Sequence, residues 1–220
     1  MPPSKHLYLH GFASGKDSKK GVALAGHFAA RGLELERLDL RVPSFEHLRL
    51  SAMLEVVRGA IGTSEDRAVV LGSSLGGLTA ARLAERDRRV EALVLLAPAF
   101  QLVTRWRARV GEAEWRAWEE RGWLEVDDHA TGGRSRVDFE FTRDVARVDA
   151  TPFPDVRVPT LIVHGTRDEV VDAELSRTFA KDRPHVRLVL VDDGHDLVAS
   201  LDRIAAEIDA FLAQLSAPHS

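Results

Sequence analysis

The residues most able to do chemistry begin in the stretch VVLGSSLGGLTAARLAE at 69–85. An apolar run enters Gly72-Ser73-Ser74-Leu75-Gly76, and a helical pattern follows at once. This is G-x-S-x-G in strand–turn–helix context, in which a serine sits on a strained turn and the flanking glycines let backbones pass close by. Ser74 is the candidate nucleophile, and Ser73 is the small neighbour that the turn tolerates. A serine hydroxyl attacks only when a base takes its proton. Among nine histidines, His195 is the best placed, in Asp193-Gly194-His195-Asp196 between an apolar strand pattern and the last helical one. His10 and His164 each precede a glycine at a strand end, where an imidazole braces a loop. The other histidines, His219 at the tail among them, read as surface residues. The base in turn needs a carboxylate to hold its tautomer and stabilise the imidazolium. Asp168 leaves the end of the run TLIVHG, whereas Glu169 reads as loop solvation and Asp172 as a helix N-cap. In the chain order Ser74, Asp168, His195, the three are expected to form a catalytic triad.

A tetrahedral intermediate on such a serine needs N–H donors where its oxyanion develops. One is the amide after the nucleophile, that of Leu75. A second is expected from the loop after the first strand, HLYLHGFASGKDSKKG, with the Phe12 N–H as candidate. That loop superficially resembles a nucleotide-binding turn. A phosphate-binding P-loop needs four residues between its glycines and Ser or Thr after its Lys. Here Gly11 and Gly15 enclose three, and Asp17 follows Lys16. The loop is therefore expected to cradle a transient oxyanion and not a nucleotide. Substrate contacts are expected from His10, Gly11, Phe100, Trp106 and Trp123.

These residues need a scaffold that brings three separate loops to one edge. The 220 residues suit one domain spanning 1–220. Strand patterns at 7–9, 33–40, 68–72, 92–97, 160–163 and 186–191 alternate with helical ones such as SKKGVALAGHFAARG and EHLRLSAMLEVVRGAI. Repeated alternation predicts an α/β fold, a doubly wound and mostly parallel sheet of about six strands. The expected spatial order, in strands counted along the chain, is second, first, third, fourth, fifth, sixth. One interval breaks the rhythm, and 101–157 is expected to be a small cap-like insertion. It opens with one or two helices holding all four tryptophans, and then WLEVDD and RVDFEF could pair as a hairpin across HATGGRS. Two of the four tryptophans are expected to anchor this insertion and the others to wall the acyl pocket above Ser74.

Composition excludes several classes. A net charge of −4 and the lack of a basic stripe with interleaved aromatics argue against a nucleic-acid partner. Without cysteine there is no disulfide, thiolate metal site or cysteine nucleophile. No H-E-x-x-H cluster suggests a metal. No run of about 18 apolar residues suggests a membrane span, and no secretory signal is visible, so a cytoplasmic location is expected.

With these motifs in hand the sequence resembles the α/β-hydrolases, and in particular the compact YqiA-type bacterial esterases. YLHGF followed by a turn with Ser14, Ser18 and Lys19, the elbow GSSLGG, HGTRDEVV and DDGHDL carry the resemblance. It spans nearly the whole chain as a fold, though its sharp motifs are these four short stretches; the Trp-rich interval matches none of them. The resemblance implies hydrolysis of small to medium carboxylic esters through an acyl-serine, with no cofactor and a small-molecule ester as the partner. The alternatives are a thioesterase acting on an acyl-CoA or acylated protein and, in a different class, a non-catalytic binding protein on the same fold. Arg105, Arg107 and Arg109 could meet CoA phosphates, but their alternate spacing scatters them around a helix, which favours a solvated surface.

Overall fold

The computed structural model describes residues 4–216, so His219 lies outside the described residues. In chain order the elements are β1 (Lys5–Leu9), α1 (Lys19–Ala29), β2 (Glu36–Leu38), α2 (Leu50–Ile61), β3 (Ala68–Ser73), α3 (Leu75–Ala84) and β4 (Val90–Leu96). Then come α4 (Leu102–Val110), α5 (Glu112–Arg121), β5 (Trp123–Asp128), β6 (Gly133–Asp138), α6 (Glu140–Val148), β7 (Thr160–Gly165), α7 (Ala173–Ala180), β8 (Val186–Val191) and α8 (Leu201–Ser216). Six strands form a parallel sheet in the order β2-β1-β3-β4-β7-β8, which is the order expected from the sequence.

Strand periodicity explains why the sheet is covered on both sides. Leu7, Leu9, Val70, Leu93, Leu95 and Ile162 face a core shared with α2, α3, Trp115, Trp118 and Phe141. The alternate residues Tyr8, Val69, Leu71, Val94, Leu161 and Val163 face a second core, with Leu24 and Phe28 of α1 and Ile204, Ile208 and Phe211 of α8. Successive strand residues point to opposite faces, so both sets must be apolar for a sheet buried on both sides. The chain leaves β1 in one direction and returns past it to β3. That places a topological switch point between β1 and β3, where ligands bind in open α/β sheets. Gly11 and Ser74 both emerge there.

The segment between β4 and β7 belongs to the first core. Trp115 and Trp118 are buried in it, while Trp106 and Trp123 are only partly covered. Gly111, at φ 82°, separates α4 from α5. The antiparallel hairpin runs from Trp123 opposite Asp138 to Asp128 opposite Gly133. It is shorter than RVDFEF suggests, because the chain turns into α6 straight after Asp138, whose Oδ1 accepts the Phe141 N–H at 3.1 Å.

Carboxylates of this segment pin it to the β2–α2 connection and the start of α2. Arg41 holds Asp128 through two bonds of 2.8 Å, Arg49 holds Asp138 at 2.7 and 2.8 Å, and Asp144 accepts the Ser51 N–H and hydroxyl. Hydrogen bonds from Arg41 hold the Asp128 carboxyl down at about 2, against the opposing effect of burial. A carboxylate depressed in the folded state stabilises the fold above the ordinary carboxylate pKa of about 4, and that contribution vanishes as pH falls toward the folded value. Asp128→Ala is therefore expected to cost on the order of 2 kcal/mol at neutral pH. The difference from wild type should close as pH falls from about 4 to about 2. Thermal melts of both proteins across that window check this, and a difference that stays constant with pH would refute the ion-pair account.

Candidate active site

Three loops at the carboxyl edge of the sheet bring the predicted residues together. Ser74 follows β3 at φ 53° and ψ −114°, a conformation strained for any residue with a Cβ. The strain is held in place by contacts that only glycine permits. A Cβ on Gly72 would lie 2.3 Å from the Gly76 carbonyl oxygen, and one on Gly76 would lie 2.2 Å from that of Leu9. The Ser74 N–H donates to Leu96 and its carbonyl accepts from Ala99, which ties the turn to the end of β4.

His195 lies between β8 and α8, in a loop folded around the buried Asp193 carboxylate, which accepts the Gly194 and Ser200 N–H groups. Its Nε2 is 3.0 Å from Ser74 Oγ, and its Nδ1 is 2.7 Å from Asp168 Oδ2. Nδ1 beside a carboxylate carries the proton, which leaves Nε2 free to accept the serine hydroxyl hydrogen. The Asp168 side chain is fully buried. Its Oδ1 accepts the Val170 and Val171 N–H groups, each at 2.8 Å. Burial alone would raise this carboxyl. Hydrogen bonds from His164, His195 and the Val171 amide outweigh burial and hold it far below the ordinary range. Of the neighbouring carboxylates, Glu169 is exposed and Asp172 caps α7 by accepting the Glu174 N–H.

Gly11 lies against the serine, where an added Cβ would be 3.2 Å from Ser74 Cβ and 3.9 Å from Oγ. Phe12 is the next residue along, and Leu75 opens α3, where a first-turn N–H has no intrahelical acceptor. Among the described residues neither amide donates to another protein group. The Phe12 ring lies on Trp106 (5.0 Å between centroids, edge-on), Phe45 and Phe141. Behind the loop, between Phe12, Leu75, Phe45, Leu48 and Met53, a cavity of about 10 Å³ remains, room for roughly one water. A larger groove of about 730 Å³ lies at the opposite edge of the sheet, beside Lys5, Gly32 and Glu91, away from all of these residues.

Three residues expected to contact substrate are placed elsewhere. The His10 imidazole is buried with both nitrogens engaged: Nδ1 meets the Gly11 carbonyl at 2.9 Å and Nε2 accepts the Leu40 N–H at 3.0 Å. It braces the loop from beneath. Phe100 has no exposed surface and stacks on Phe179 at 4.6 Å, with Phe153 edge-on. Trp123 packs on His47 and under the Arg136 guanidinium, out on the hairpin.

Other residues join the site in roles that sequence reasoning did not give them. Lys20 of α1 donates to the Asp196 carbonyl beside His195 at 2.7 Å. Burial pulls its ammonium down to about 8, although Asp196, Asp168 and Asp193 all oppose that shift. Arg105 of α4 donates to the Phe100 and Val170 carbonyls, tying the Trp-rich segment to the loop that carries Asp168. His164, at the end of β7, is completely buried against Asp168. The pattern HGTRDEVV places it four residues before Asp168, and that spacing was the available signal.

The chain belongs to the family described as Uncharacterised protein family (UPF0227), whose model matches residues 5–213. No curated protein matches it. Among solved structures it is similar to alpha/beta hydrolase domain-containing protein 10 from mouse, at 24% identity over 98% of this chain and 92% of that one, with a TM-score of 0.80. It is also similar to Est1E from Butyrivibrio proteoclasticus with ferulic acid bound (24% identity, 96% of this chain and 89% of that one, TM-score 0.76). The esterase domain of a Rhodothermus marinus protein matches at 17% identity over 96% of this chain and 87% of that one, with a TM-score of 0.67. The architecture is therefore that of the α/β-hydrolase fold. Among the described residues no helix is long and apolar enough to cross a membrane.

Proposed function

We propose that this member of the family is a serine hydrolase cleaving small to medium carboxylic esters through an acyl-serine. The observation that carries the reading is the unbroken relay Ser74 Oγ–His195 Nε2, then Nδ1–Asp168 Oδ2, at 3.0 and 2.7 Å. His195 takes the hydroxyl proton as Ser74 Oγ attacks the ester carbonyl. The oxyanion is received by the N–H groups of Phe12 and Leu75, which the uncommitted state of both amides supports. His195 then gives its proton to the leaving alkoxide. Water, activated by the same imidazole, releases the acid and restores the serine. The segment 101–157 acts as a cap over this chemistry.

A thioester substrate carried by CoA finds less support. Arg107 is spent on Glu112 and Arg105 on backbone carbonyls, so the alternating arginines present no shared phosphate site. A non-catalytic role is disfavoured by the strain kept at Ser74, which a binding scaffold has no reason to retain. Labelling by a fluorophosphonate probe tests the reading directly. Wild type should label at Ser74 and hydrolyse p-nitrophenyl esters, and absence of labelling would end the proposal.

The same ester panel tests the cap. Trp106 touches the Phe12 ring, whereas Trp123 lies on the hairpin. Trp106→Ala is expected to raise the rate on longer acyl esters relative to acetate by about tenfold, the scale at which a hydrophobic pocket discriminates a methylene or two. Trp123→Ala should leave that ratio unchanged. Equal losses at all chain lengths for Trp106→Ala, with a lower melting temperature, would show that Trp106 only holds the cap together.

A further inference from the structure

We propose that His164 is a second imidazole of the catalytic relay, a positioning residue that holds the acid loop and the anionic oxygen of Asp168. The inference rests on the reading of Ser74, His195 and Asp168 as a triad. His164 Nε2 is 2.9 Å from the Val171 carbonyl and 3.1 Å from Asp168 Oδ2, and its Nδ1 is 2.7 Å from Ser176 Oγ. Facing two acceptors, Nε2 must carry the proton. Nδ1 is then the acceptor, and the Ser176 hydroxyl donates to it.

This fixes one neutral tautomer with every polar atom used. Its N–H points chiefly to Val171 and sets the height of the 168–171 turn. The positive end of the same dipole lies against the oxygen that His195 uses. Two imidazoles therefore share Asp168 Oδ2, one catalytic and one fixed. An inert core histidine would need the Val171 and Ser176 contacts alone. The contact with Oδ2 makes the ring part of the electrostatics of the relay.

The consequence has a sign. Without the His164 N–H, the negative charge of Asp168 is less shared, so it attracts protonated His195 more strongly. The basic form of the enzyme then appears at higher pH. The other charged groups facing Asp168 are His195 from the β8–α8 loop, Lys20 from α1 and Arg105 from α4. Neither Lys20 nor Arg105 bonds to His164, so the shift falls on His195.

The test is the second-order rate of fluorophosphonate labelling of the intact chain, followed against pH beside ester kinetics. His164→Ala should lower the labelling rate and kcat by about 10- to 100-fold, the cost of a small misplacement at a distance, with little change in KM. Its acid limb should move up by about half a pH unit or more. His164→Gln, whose amide N–H can reach the Nε2 position, should restore much of both. Ser176→Ala keeps the ring and its tautomer but removes the donor that holds Nδ1, and should move both readouts the same way by a smaller amount. It keeps the proposal testable if His164→Ala fails to fold. An acid limb unmoved in all three variants, with only the melting temperature lowered, would reduce His164 to a packing residue. Wild type that fails to label would instead overturn the triad itself, so the two failures are distinct.

Discussion

Ser74→Ala is expected to lower kcat for ester hydrolysis by on the order of 10⁴-fold or more, and to abolish fluorophosphonate labelling, while the protein stays folded. The fold should tolerate the change because the hydroxyl has no structural duty. It does not cap α3, and its partner is His195 Nε2. The backbone is what the structure invests in, at φ 53° and anchored to Leu96 and Ala99. A second variant separates chemistry from strain. Ser74→Gly removes the nucleophile and also the Cβ that makes this conformation costly. It should be as inactive as Ser74→Ala yet more stable than it, by a fraction of the roughly 1–3 kcal/mol that such backbone strain carries. Activity above about a tenth of wild type in either variant would mean that another group performs the attack.

Much of this site was legible because its constraints are local. An apolar strand, a glycine-bracketed serine and a helix are contiguous in sequence, and so are β7 with Asp168 and β8 with His195. Sheet order followed from alternation, since crossovers between parallel strands leave few arrangements. What failed was whatever depends on distant partners. The pattern 33–40 reads as one strand, but only Glu36–Leu38 pairs with β1. Beyond it the Leu40 N–H leaves the ladder to reach His10 Nε2, and Leu33 stays exposed. The run FEF continues the alternation of a strand, yet Asp138 redirects it into α6. Phe100 and Trp123 were recognisable as large aromatics in or beside the segment 101–157, but composition does not say which way a ring faces. His164 was read as a brace, which it is for Val171. Its contact with Asp168 needed the 168–171 turn to curl back over the strand end, a tertiary fact absent from the motif.

Asp168→Asn should cost about as much as loss of the nucleophile, on the order of 10⁴-fold in kcat, although the two side chains have the same shape. The geometry gives the reason. The Val170 and Val171 N–H groups both point at Asp168 Oδ1, so the amide of Asn would orient with its carbonyl oxygen there. Its NH₂ would then occupy the Oδ2 position, 2.7 Å from His195 Nδ1 and 3.1 Å from His164 Nε2. Donating to Nδ1, it would force the His195 proton onto Nε2, where it faces Ser74 and cannot accept the hydroxyl hydrogen. The same NH₂ would confront the His164 N–H, donor against donor, so a stability loss should accompany the kinetic one. The neighbouring carboxylates are the controls. Glu169→Gln alters an exposed side chain and should leave kcat within about twofold. Asp172→Ala should cost about 1 kcal/mol for a lost helix cap without touching the relay. Measured together by kcat and thermal melting, these three variants assign the acid. A near-wild-type rate for Asp168→Asn beside an inactive Glu169→Gln or Asp172→Ala would move the acid to the other residue and remove the role argued for His164.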